Sequence, residues 1–530
     1  MNYKAIALVV LFLLVLFGVY YYSNSSKKIS LPQPANVNLS EWPSANQNFS
    51  NTRSALNATI DLTNISNLKP FWSFPIKGIS EWGAATTNPI IIDNIVYFQD
   101  LKSNIYAVDF ESGKQIWEKE YNLDIAGPAG VSIENGMIFG IKGHFEIVGL
   151  DLQGNELWAT NLSKNQNIGI DIQTTAQGEK VYVSTVPGVS NENFYKGGAV
   201  GILYALDQKT GKILWSFNTV DSKDIWGNKD VNSGGGAWYP PAIDTQKGIL
   251  YWGIGNPAPW PGTKDFPNGS SRLGPNLYTN SLIALNQQDG KLLWYNQVLP
   301  HDLFDYDLQV SPILTTLDIS GSKKEVIIGA GKMGKVYLFD RENGKTIWET
   351  SVGQHLNDNL KTLPEGITKV SPGPLGGVET NMAYSDNMIF VPIVNMVVEY
   401  TPSEFVAKSF DLGAGKGELV ALDAVSGKIL WSNQFDSINV GAATVVNDLV
   451  FTATFNGKIY AFNKKTGEKV WEYQAPGGIN GWPAVKDNTI IFPVGMGKNP
   501  ILLAFKIGAN GIIPSSSPLP PAGAGKDFGQ

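Results

Sequence analysis

A pattern of apolar and polar positions recurs seven times along the chain. In six copies a Gly lies four residues after an Asp or Asn and four before a Trp, and in one copy the turn is one residue shorter. The copies are AVDFESGKQIW (107–117), GLDLQGNELW (149–158), ALDQKTGKILW (205–215), ALNQQDGKLLW (284–294), LFDRENGKTIW (338–348), ALDAVSGKILW (421–431) and AFNKKTGEKVW (461–471). Each copy predicts a β-hairpin, because Asp and Asn accept N–H groups of a turn and Gly adopts positive φ without steric cost.

The spacing of the Trp residues predicts how these hairpins assemble. An eighth Trp, Trp72 in LKPFWSFPIKG (68–78), lacks the turn but begins a matching strand. Consecutive members of the eight are 40 to 83 residues apart, and one four-stranded propeller blade takes about 40–45 residues. We therefore expect an all-β fold, an eight-bladed β-propeller, in which the first and last segments close one blade together. The eight Trp are expected to pack between blades.

The N-terminus carries a nearly unbroken apolar run, AIALVVLFLLVLFGVYYY (5–22). As a helix it would be about 27 Å long, close to the roughly 30 Å hydrocarbon core of a bilayer. We expect an uncleaved transmembrane helix rather than a cleaved signal peptide, with the propeller outside the cytoplasm, in the periplasm or at the cell surface. The predicted divisions are the anchor and tether (1–30), the propeller (31–508) and a disordered tail rich in Pro, Ser and Gly (509–530).

Composition removes several classes of function. The 47 Asp and Glu outnumber the 40 Lys and Arg, for a net charge of −7, so no general attraction to nucleic acid is expected. The chain has no Cys and only three His. Disulfides, thiolate metal sites, Cys nucleophiles and covalently bound haem c are therefore excluded, and a His-rich metal site is almost excluded.

The unusual residues lie in loops inserted between Trp158 and Trp348. These loops are VPGVSNENFYKGG (186–198), VNSGGGAWYPPAID (231–244), GIGNPAPWPGTKDFPNGSSR (253–272) and LPHDLFDYDLQVSP (299–312). We expect Asp302, Asp305 and Asp307 to share one face of an extended segment. Three carboxylates on one face repel unless a cation or donor offsets them, and such oxygen groups suit a hard cation such as calcium. The alternative is a solvated acidic loop with Asx turns.

Two of these loops carry a resemblance to a known family. The repeat, together with HDLFDYD (301–307) and GNPAPW (255–260), resembles the pyrroloquinoline quinone (PQQ)-dependent alcohol dehydrogenases, which are eight-bladed quinoprotein propellers. The resemblance covers about residues 42–494. Noncatalytic propellers also carry the repeat, whereas propeller packing does not require the two loop motifs, so the loop motifs are the more specific signal.

The resemblance implies a role for four residues around the cofactor. Asp305 corresponds to the base that takes the proton of the alcohol, and Trp238 to the Trp that stacks under the PQQ ring. Ser190 corresponds to a residue that bonds a PQQ carboxylate, and Lys332 to a basic group near the quinone oxygens.

The resemblance also implies a metal site for calcium or a lanthanide. Its ligands would be Asn256, Asp305 and Asp307, the last resembling the extra carboxylate of the lanthanide-using branch. The family's metal-binding Glu aligns with Asn193 in VSNENF, and Glu192 lies one residue earlier, so either residue is a candidate ligand. The sequence also departs from the family in having Phe304 where a Trp is usual and no Cys pair for the disulfide over the cofactor.

The leading hypothesis is an enzyme that oxidises an alcohol or similar hydroxyl compound outside the cytoplasm. Electrons would pass to a separate acceptor, a cytochrome, cupredoxin or quinone, because the chain has no C-x-x-C-H haem motif. One alternative is a noncatalytic propeller that serves as a binding or assembly scaffold. Another is a sugar- or polymer-binding module in which exposed aromatic residues such as Trp260 and Tyr278 matter more than Asp305.

Overall fold

The computed structural model describes residues 41–164, 167–188 and 197–511. The predicted anchor and nearly all of the predicted tail lie outside these ranges. Within them, no helix is long and apolar enough to cross a membrane.

The described residues form eight sheets, the blades of a β-propeller, each with four antiparallel strands, and two of the sheets carry a fifth strand. Blades 1 to 4 consist of Ile90–Ile92, Ile95–Gln99, Ile105–Asp109 and Gln115–Lys119; Ser132–Glu134, Met137–Lys142, Glu146–Asp151 and Glu156–Asn161; Thr175–Gln177, Lys180–Pro187, Ile202–Asp207 and Ile213–Asn218; Ala242–Asp244, Ile249–Gly253, Ser281–Asn286 and Leu292–Gln297. Blades 5 to 8 consist of Ile313–Ile319, Ser322–Gly331, Lys335–Asp340 and Thr346–Ser351; Ala383–Ser385, Met388–Asn395, Lys416–Asp423 and Ile429–Phe435; Thr444–Val446, Leu449–Ala453, Lys458–Asn463 and Lys469–Gln474; Ala484–Lys486, Thr489–Val494, Ile501–Ile507 and Leu68–Pro75. The predicted eight-bladed fold is confirmed.

Short elements complete the described part of the chain. Additional strands are Ser54–Ala55, Ile168–Ile170, Ser233–Gly234, Pro257–Ala258, Thr368–Val370 and Val398–Tyr400, and 3-10 helices cover Ile65–Asn67, Pro267–Gly269 and Ala407–Ser409. The Ser233–Gly234 strand pairs with Pro257–Ala258, which joins the two inserted loops that carry Trp238 and Asn256.

Blade 8 closes the ring. Its fourth strand, Leu68–Pro75, comes from the start of the propeller and pairs antiparallel with Ile501–Ile507 from its end, with Trp72 opposite Ala504. The predicted closure by the first and last segments is therefore confirmed. Every other blade takes its four antiparallel strands from one stretch of the chain, and Ser54–Ala55 and Ile168–Ile170 add a fifth strand to blades 7 and 3.

The eight Trp occupy one register position. Each lies opposite a residue of the neighbouring strand, which is Ala in six blades, Gly149 in blade 2 and Leu338 in blade 5. In the seven blades with Ala or Gly, the small residue leaves room for the indole ring. The predicted equivalence of the eight Trp is confirmed.

Seven of these Trp side chains cover the turn glycine of the next blade. A Cβ on that glycine would lie only 2.4 to 2.9 Å from the nearest Trp ring atom. The pairs are Trp72/Gly113, Trp117/Gly154, Trp158/Gly211, Trp215/Gly290, Trp294/Gly344, Trp348/Gly427 and Trp431/Gly467. The eighth, Trp471, faces blade 8, whose last two strands share no turn, and packs edge-on against Phe505 at 5.5 Å.

The N-terminal segment runs across the first strands of the blades. Main-chain carbonyl groups between Trp42 and Arg53 accept N–H groups from Ile91, Ile243, Leu314, Tyr384 and Val445, which belong to five different blades. Arg53 is fully buried, and its guanidinium lies 5.3 Å from the Trp42 ring and 5.8 Å from the Trp482 ring. The segment thus bonds to blades that are far apart in sequence.

Candidate active site

Asp305, Asp307 and Lys332 form a buried ionic cluster. The two acids lie on the connection from blade 4 to blade 5, and Lys332 lies in the hairpin turn that follows Ser322–Gly331. Lys332 Nζ is 3.0 Å from Asp305 Oδ2 and 2.6 Å from Asp307 Oδ2. The side chains of Asp305, Asp307 and Lys332 are 12%, 1% and 6% exposed. The single ammonium of Lys332 therefore forms ion pairs with two carboxylates. When both acids are ionised, the cluster carries a net negative charge.

Asn256 lies directly beside this cluster. Its main-chain N–H donates to Asp307 Oδ1 at 2.5 Å, and its side-chain amide nitrogen donates to Pro257 O at 3.2 Å. An Asn that donates through its amide nitrogen keeps its side-chain oxygen as an acceptor. The structure therefore brings Asn256, Asp305, Asp307 and Lys332 together, as the resemblance implies.

Trp238 approaches the cluster because of a glycine. A Cβ on Gly255 would lie 3.0 Å from Asp307 Oδ1 and 3.3 Å from Trp238 Nε1, so the missing side chain lets the indole come close to Asp307. Trp238 is half-buried and packs against Tyr239 and Trp482, whose rings stack at 5.4 Å. It therefore lies beside the cluster and is not one of the eight Trp that pack between blades.

Burial controls the ionisation of the cluster. Burial raises the pKa of Asp305 well above its usual range, and the charge of Lys332 offsets only part of this effect. Burial by itself would lower the pKa of Lys332, but the carboxylates of Asp305 and Asp307 outweigh it and hold that pKa well above its ordinary value. A carboxylate with a raised pKa is a stronger base, and the ammonium stays charged beside it.

Glu379 is a fourth ionisable group that the sequence did not reveal. It lies between blades 5 and 6, where its Oε2 accepts Gln309 Nε2 at 3.1 Å and its main-chain oxygen accepts the Tyr239 hydroxyl at 2.6 Å. Burial raises the pKa of Glu379 to about 7, against the opposing charge of Lys332. A single Glu in the stretch GGVETN belongs to no recognisable motif, so the sequence gives no sign that Glu379 lies near the cluster. Only the folded structure reveals it.

Asp302 does not share a face with the other two acids. Its Oδ1 accepts Phe304 N at 2.8 Å and its Oδ2 accepts Tyr306 N at 2.6 Å, so its carboxylate turns back onto the loop. The expectation failed because Asp305 has φ of +66° and the segment is not extended there. Asp302 also lies three residues from Asp305, a spacing that reverses the face even on a regular strand.

Three predicted site residues, Ser190, Glu192 and Asn193, lie outside the described residues. Within the described ranges, no three or more His, Asp or Glu residues are grouped as metal ligands. The oxygen donors present, two carboxylates and an Asn, match a hard cation in type.

The burial of Trp260 argues against the polymer-binding alternative. Trp260 is only 8% exposed and packs 5.8 Å from Phe405, so it offers no surface to a polymer. Tyr278 is half-buried against Phe217 and Tyr295. The two residues do not form an exposed aromatic platform.

Comparison with known protein families gives two matches. Residues 42–137 and 156–355, more than half of the chain, match the glucose/ethanol/alcohol dehydrogenase β-propeller domain. Residues 377–499 match the outer membrane protein assembly factor BamB. The first match includes Trp238, Asn256, Asp305, Asp307 and Lys332, and the second includes Glu379.

Individual proteins are similar over most of the chain. Quinoprotein alcohol dehydrogenase PedH from Pseudomonas putida is 29% identical over 80% of this chain and 80% of its own length. The structure of quinohemoprotein alcohol dehydrogenase ADHIIG from Pseudomonas putida matches with a TM-score of 0.80 at 22% identity, covering 91% of this chain and 82% of the other. A europium-containing methanol dehydrogenase matches with a TM-score of 0.75 at 20% identity, covering 88% and 98%. At these identities the two solved structures support the fold.

Proposed function

The chain belongs to the family of PQQ-dependent alcohol dehydrogenases, and from this premise we propose that it oxidises an alcohol or a similar hydroxyl compound with PQQ and a bound cation. The observation that carries the proposal is the buried cluster in which Lys332 contacts both Asp305 and Asp307 beside Asn256. A propeller gains no packing from two acids and a lysine buried together, since burying charges is costly.

The residues present fit both the cofactor and a hard cation. Trp238 is only half-buried, so part of its ring remains available to stack on a planar cofactor. Lys332 is a cationic donor suited to quinone oxygens. Asp305, Asp307 and Asn256 offer the oxygen ligands that calcium or a lanthanide prefers, and Glu192 or Asn193 is proposed to complete the set. Ser190 is proposed to bond a carboxylate of PQQ.

The chain's own residues would act on the proton and the charge. Asp305, whose pKa is raised by burial, accepts the proton of the substrate hydroxyl. Because Asp305 is buried, bulk water does not reach it. Lys332 stays protonated and stabilises negative charge beside Asp305. Asp307 accepts the main-chain N–H of Asn256 and pairs with Lys332, so it links these two groups in a fixed arrangement. PQQ, when bound, supplies the two-electron acceptor for the oxidation.

The cellular setting of the proposal follows from the sequence. An apolar N-terminal run suits a membrane-anchored propeller outside the cytoplasm. Electrons would leave to a separate cytochrome, cupredoxin or quinone, because the chain has no Cys with which to hold a haem c of its own.

A noncatalytic assembly scaffold is the second candidate. It is supported by the match of residues 377–499 to the outer membrane protein assembly factor. That match covers blades 6 and 7 and part of blade 8 and does not include Asp305, Asp307 or Lys332, so it offers no reason for the buried cluster.

Reconstitution tests the proposed function. Purified protein is supplied with PQQ and either calcium or a lanthanide, and oxidation of a panel of alcohols is followed with an electron-accepting dye. Asp305→Asn should keep the fold and the bound cofactor but lower turnover by about 10²- to 10⁴-fold, the usual contribution of a general base. The control is Asp318→Asn, which alters an exposed turn of blade 5.

Two outcomes would contradict the proposal. Wild-type turnover in Asp305→Asn would show that Asp305 is not the base. Wild-type protein that binds neither PQQ nor a cation would favour the scaffold.

A further inference from the structure

Asp302 closes a tight turn around Asp305. Both oxygens of the Asp302 carboxylate accept main-chain N–H groups, from Phe304 at 2.8 Å and from Tyr306 at 2.6 Å. These two residues flank Asp305 on either side. The Tyr306 N–H belongs to the peptide group that defines ψ of Asp305, and the Phe304 N–H lies one peptide group before the one that defines its φ, so the Asp302 carboxylate restrains the chain on both sides of Asp305. It contacts neither Lys332 nor Asp307 in the interactions of the described residues.

A similar turn occurs twice elsewhere in the described residues, with both N–H groups on one carboxylate oxygen. Asp100 accepts the N–H groups of Lys102 and Asn104, each at 2.9 Å. The chain reads DLKSN at 100–104, DLQGN at 151–155 and DLFDY at 302–306. At 151–155 the carboxylate of the first residue again accepts the N–H groups two and four residues later, each at 2.9 Å. The turn around Asp305 is thus a recurrent element of this propeller.

In all three turns the fourth residue has a left-handed backbone. Its φ is +65° at Ser103, +83° at Gly154 and +66° at Asp305. Residues other than Gly adopt this conformation infrequently, although Asn and Asp do so more often than most because their side chains bond locally. The position that a Gly or Ser fills in the two blade turns is filled at the site by the proposed base.

The turn at the site depends more on its carboxylate than the other two do. Ser103 N donates to Asp100 O, and Gly154 N donates to Asp151 O, each at 3.1 Å. Among the main-chain hydrogen bonds of the described residues, none closes the Asp302 turn in this way.

The partner of the second carboxylate oxygen also differs. In the two blade turns the Asn at the fifth position donates its side-chain amide to the carboxylate, at 3.0 Å from Asn104 and 2.9 Å from Asn155. In the site turn Tyr306 takes that position, and Asn280 from blade 4 donates its amide instead, at 3.2 Å to Asp302 Oδ2 and 2.6 Å to Tyr306 O. The turn is therefore tied to the residue that directly precedes the Ser281–Asn286 strand of blade 4.

We propose that Asp302 is a positioning residue that holds Asp305 in the left-handed conformation needed for its contact with Lys332. The inference rests on the proposed function for its kinetic consequences. Fully buried Arg272 donates to Asp302 O, and the Tyr400 hydroxyl donates to Phe304 O at 3.3 Å, so the turn is braced on both sides. Misplacement of a reacting group by about 1 Å can lower turnover about 10²-fold.

The test compares matched substitutions in the two buried turns. Asp302→Asn retains one acceptor oxygen, and Asp100→Asn makes the same change in blade 1, where Asp100 is also fully buried. In the holoenzyme, Asp302→Asn should lower kcat by about 10- to 100-fold with KM nearly unchanged. Asp100→Asn should also lower Tm but leave kcat and its pH profile as in the wild type.

A double substitution separates positioning from a general loss of structure. If Asp302 acts through Asp305, Asp302→Asn should have no further effect on turnover in an Asp305→Asn background. Independent, multiplying effects would overturn the proposal. Should Asp302→Asn fail to fold, Asn280→Gly removes the tie from blade 4 at a position whose φ of +51° a Gly adopts readily, and the same pattern with a smaller loss of kcat is expected.

Crystallography of the Asp302→Asn or Asn280→Gly protein gives a readout independent of turnover. The proposal predicts that Asp305 leaves φ near +66° and that its 3.0 Å contact with Lys332 lengthens. An unchanged turn would overturn it. If the wild type shows no PQQ-dependent turnover, the proposed function fails, and the geometry of the variant alone decides whether Asp302 positions Asp305.

Discussion

The turns of the repeats and the turn that carries Asp305 each hold one residue in the left-handed conformation, but their surroundings are opposite. In a repeat turn, a left-handed glycine such as Gly290 lies under the Trp of the preceding blade, and the contact is apolar. In the Asp305 turn the left-handed residue is an acid, and its neighbours are Lys332 and Asp307. The first arrangement stabilises the fold, whereas the second buries charges, which costs stability.

The repeat turns therefore contribute to the stability of the propeller, whereas the Asp305 turn contributes to the chemistry proposed for the site. Seven Trp–Gly contacts repeat around the ring, so the loss of one leaves six of the same kind. The charged cluster occurs once in the described residues, and its groups share a single ammonium. Substitutions in the two regions should therefore affect different measurements, and the following predictions are arranged by expected size.

Trp215→Ala should have the largest effect on stability. Trp215 is only 7% exposed and covers Gly290, and truncating a buried Trp to Ala typically lowers the free energy of unfolding by about 3–5 kcal/mol. The measurement is urea or thermal unfolding, with cofactor affinity as a control that should stay constant in the folded protein. A decrease of less than about 1 kcal/mol in the free energy of unfolding would mean that the propeller does not depend on the Trp–Gly contacts for its stability.

The repeat contacts were largely predictable from sequence because they are local and periodic. Asp or Asn, Gly and Trp recur at fixed spacing, and each has a single structural reason to be there. The sequence predicted positive φ at the turn glycines, and this is confirmed. It did not show that the same glycines must lack a Cβ to admit the Trp of the preceding blade, because that contact joins residues up to 79 positions apart, as in the Trp348/Gly427 pair.

The site was predictable only where a resemblance supplied it. HDLFDYD and GNPAPW led to Asp305, Asp307 and Asn256, which the structure brings together with Lys332. Simple alternation failed for Asp302, because a left-handed residue breaks the strand between Asp302 and Asp307. Glu379 was missed because its importance lies in burial near Lys332, a property that a single sequence does not encode locally.

Glu379→Gln should reveal the stability cost of the charged region. The pKa of Glu379 rises from 4.5 to about 7 on burial, with Lys332 lowering it, Asp307 raising it and Gln309 donating a hydrogen bond. Because the folded state binds the proton more tightly, wild-type stability falls as pH rises from about 4.5 to about 7. The loss should approach about 3 kcal/mol, since each pKa unit corresponds to about 1.4 kcal/mol.

The glutamine variant has no Glu379 carboxyl to ionise, so across that pH window it should lose about 3 kcal/mol less stability than the wild type, and only the other buried acids still contribute to the slope. Unfolding is measured from pH 4 to 8 for the wild type, for Glu379→Gln and for Glu404→Gln, which alters an exposed acid. Glu404→Gln should follow the wild type. Parallel curves for wild type and Glu379→Gln would show that Glu379 ionises in the folded protein as it does in the unfolded chain.

Trp238→Ala should have the smallest effect and the opposite signature to Trp215→Ala. Trp238 is half-buried beside Asp307 and covers no turn glycine of the repeat, so its loss should change stability little. Stacking on an aromatic ring contributes about 0.5–1.5 kcal/mol beyond the area buried, so the Kd for PQQ should rise by at least about 2- to 12-fold. Trp226→Ala is the control and should leave the Kd for PQQ unchanged. Trp226 is also half-buried, and its indole N–H donates to the main-chain oxygen of Leu277. If titration gives the same PQQ affinity for wild type and Trp238→Ala, Trp238 is a packing residue like the eight blade Trp, and the division between the two regions does not extend to it.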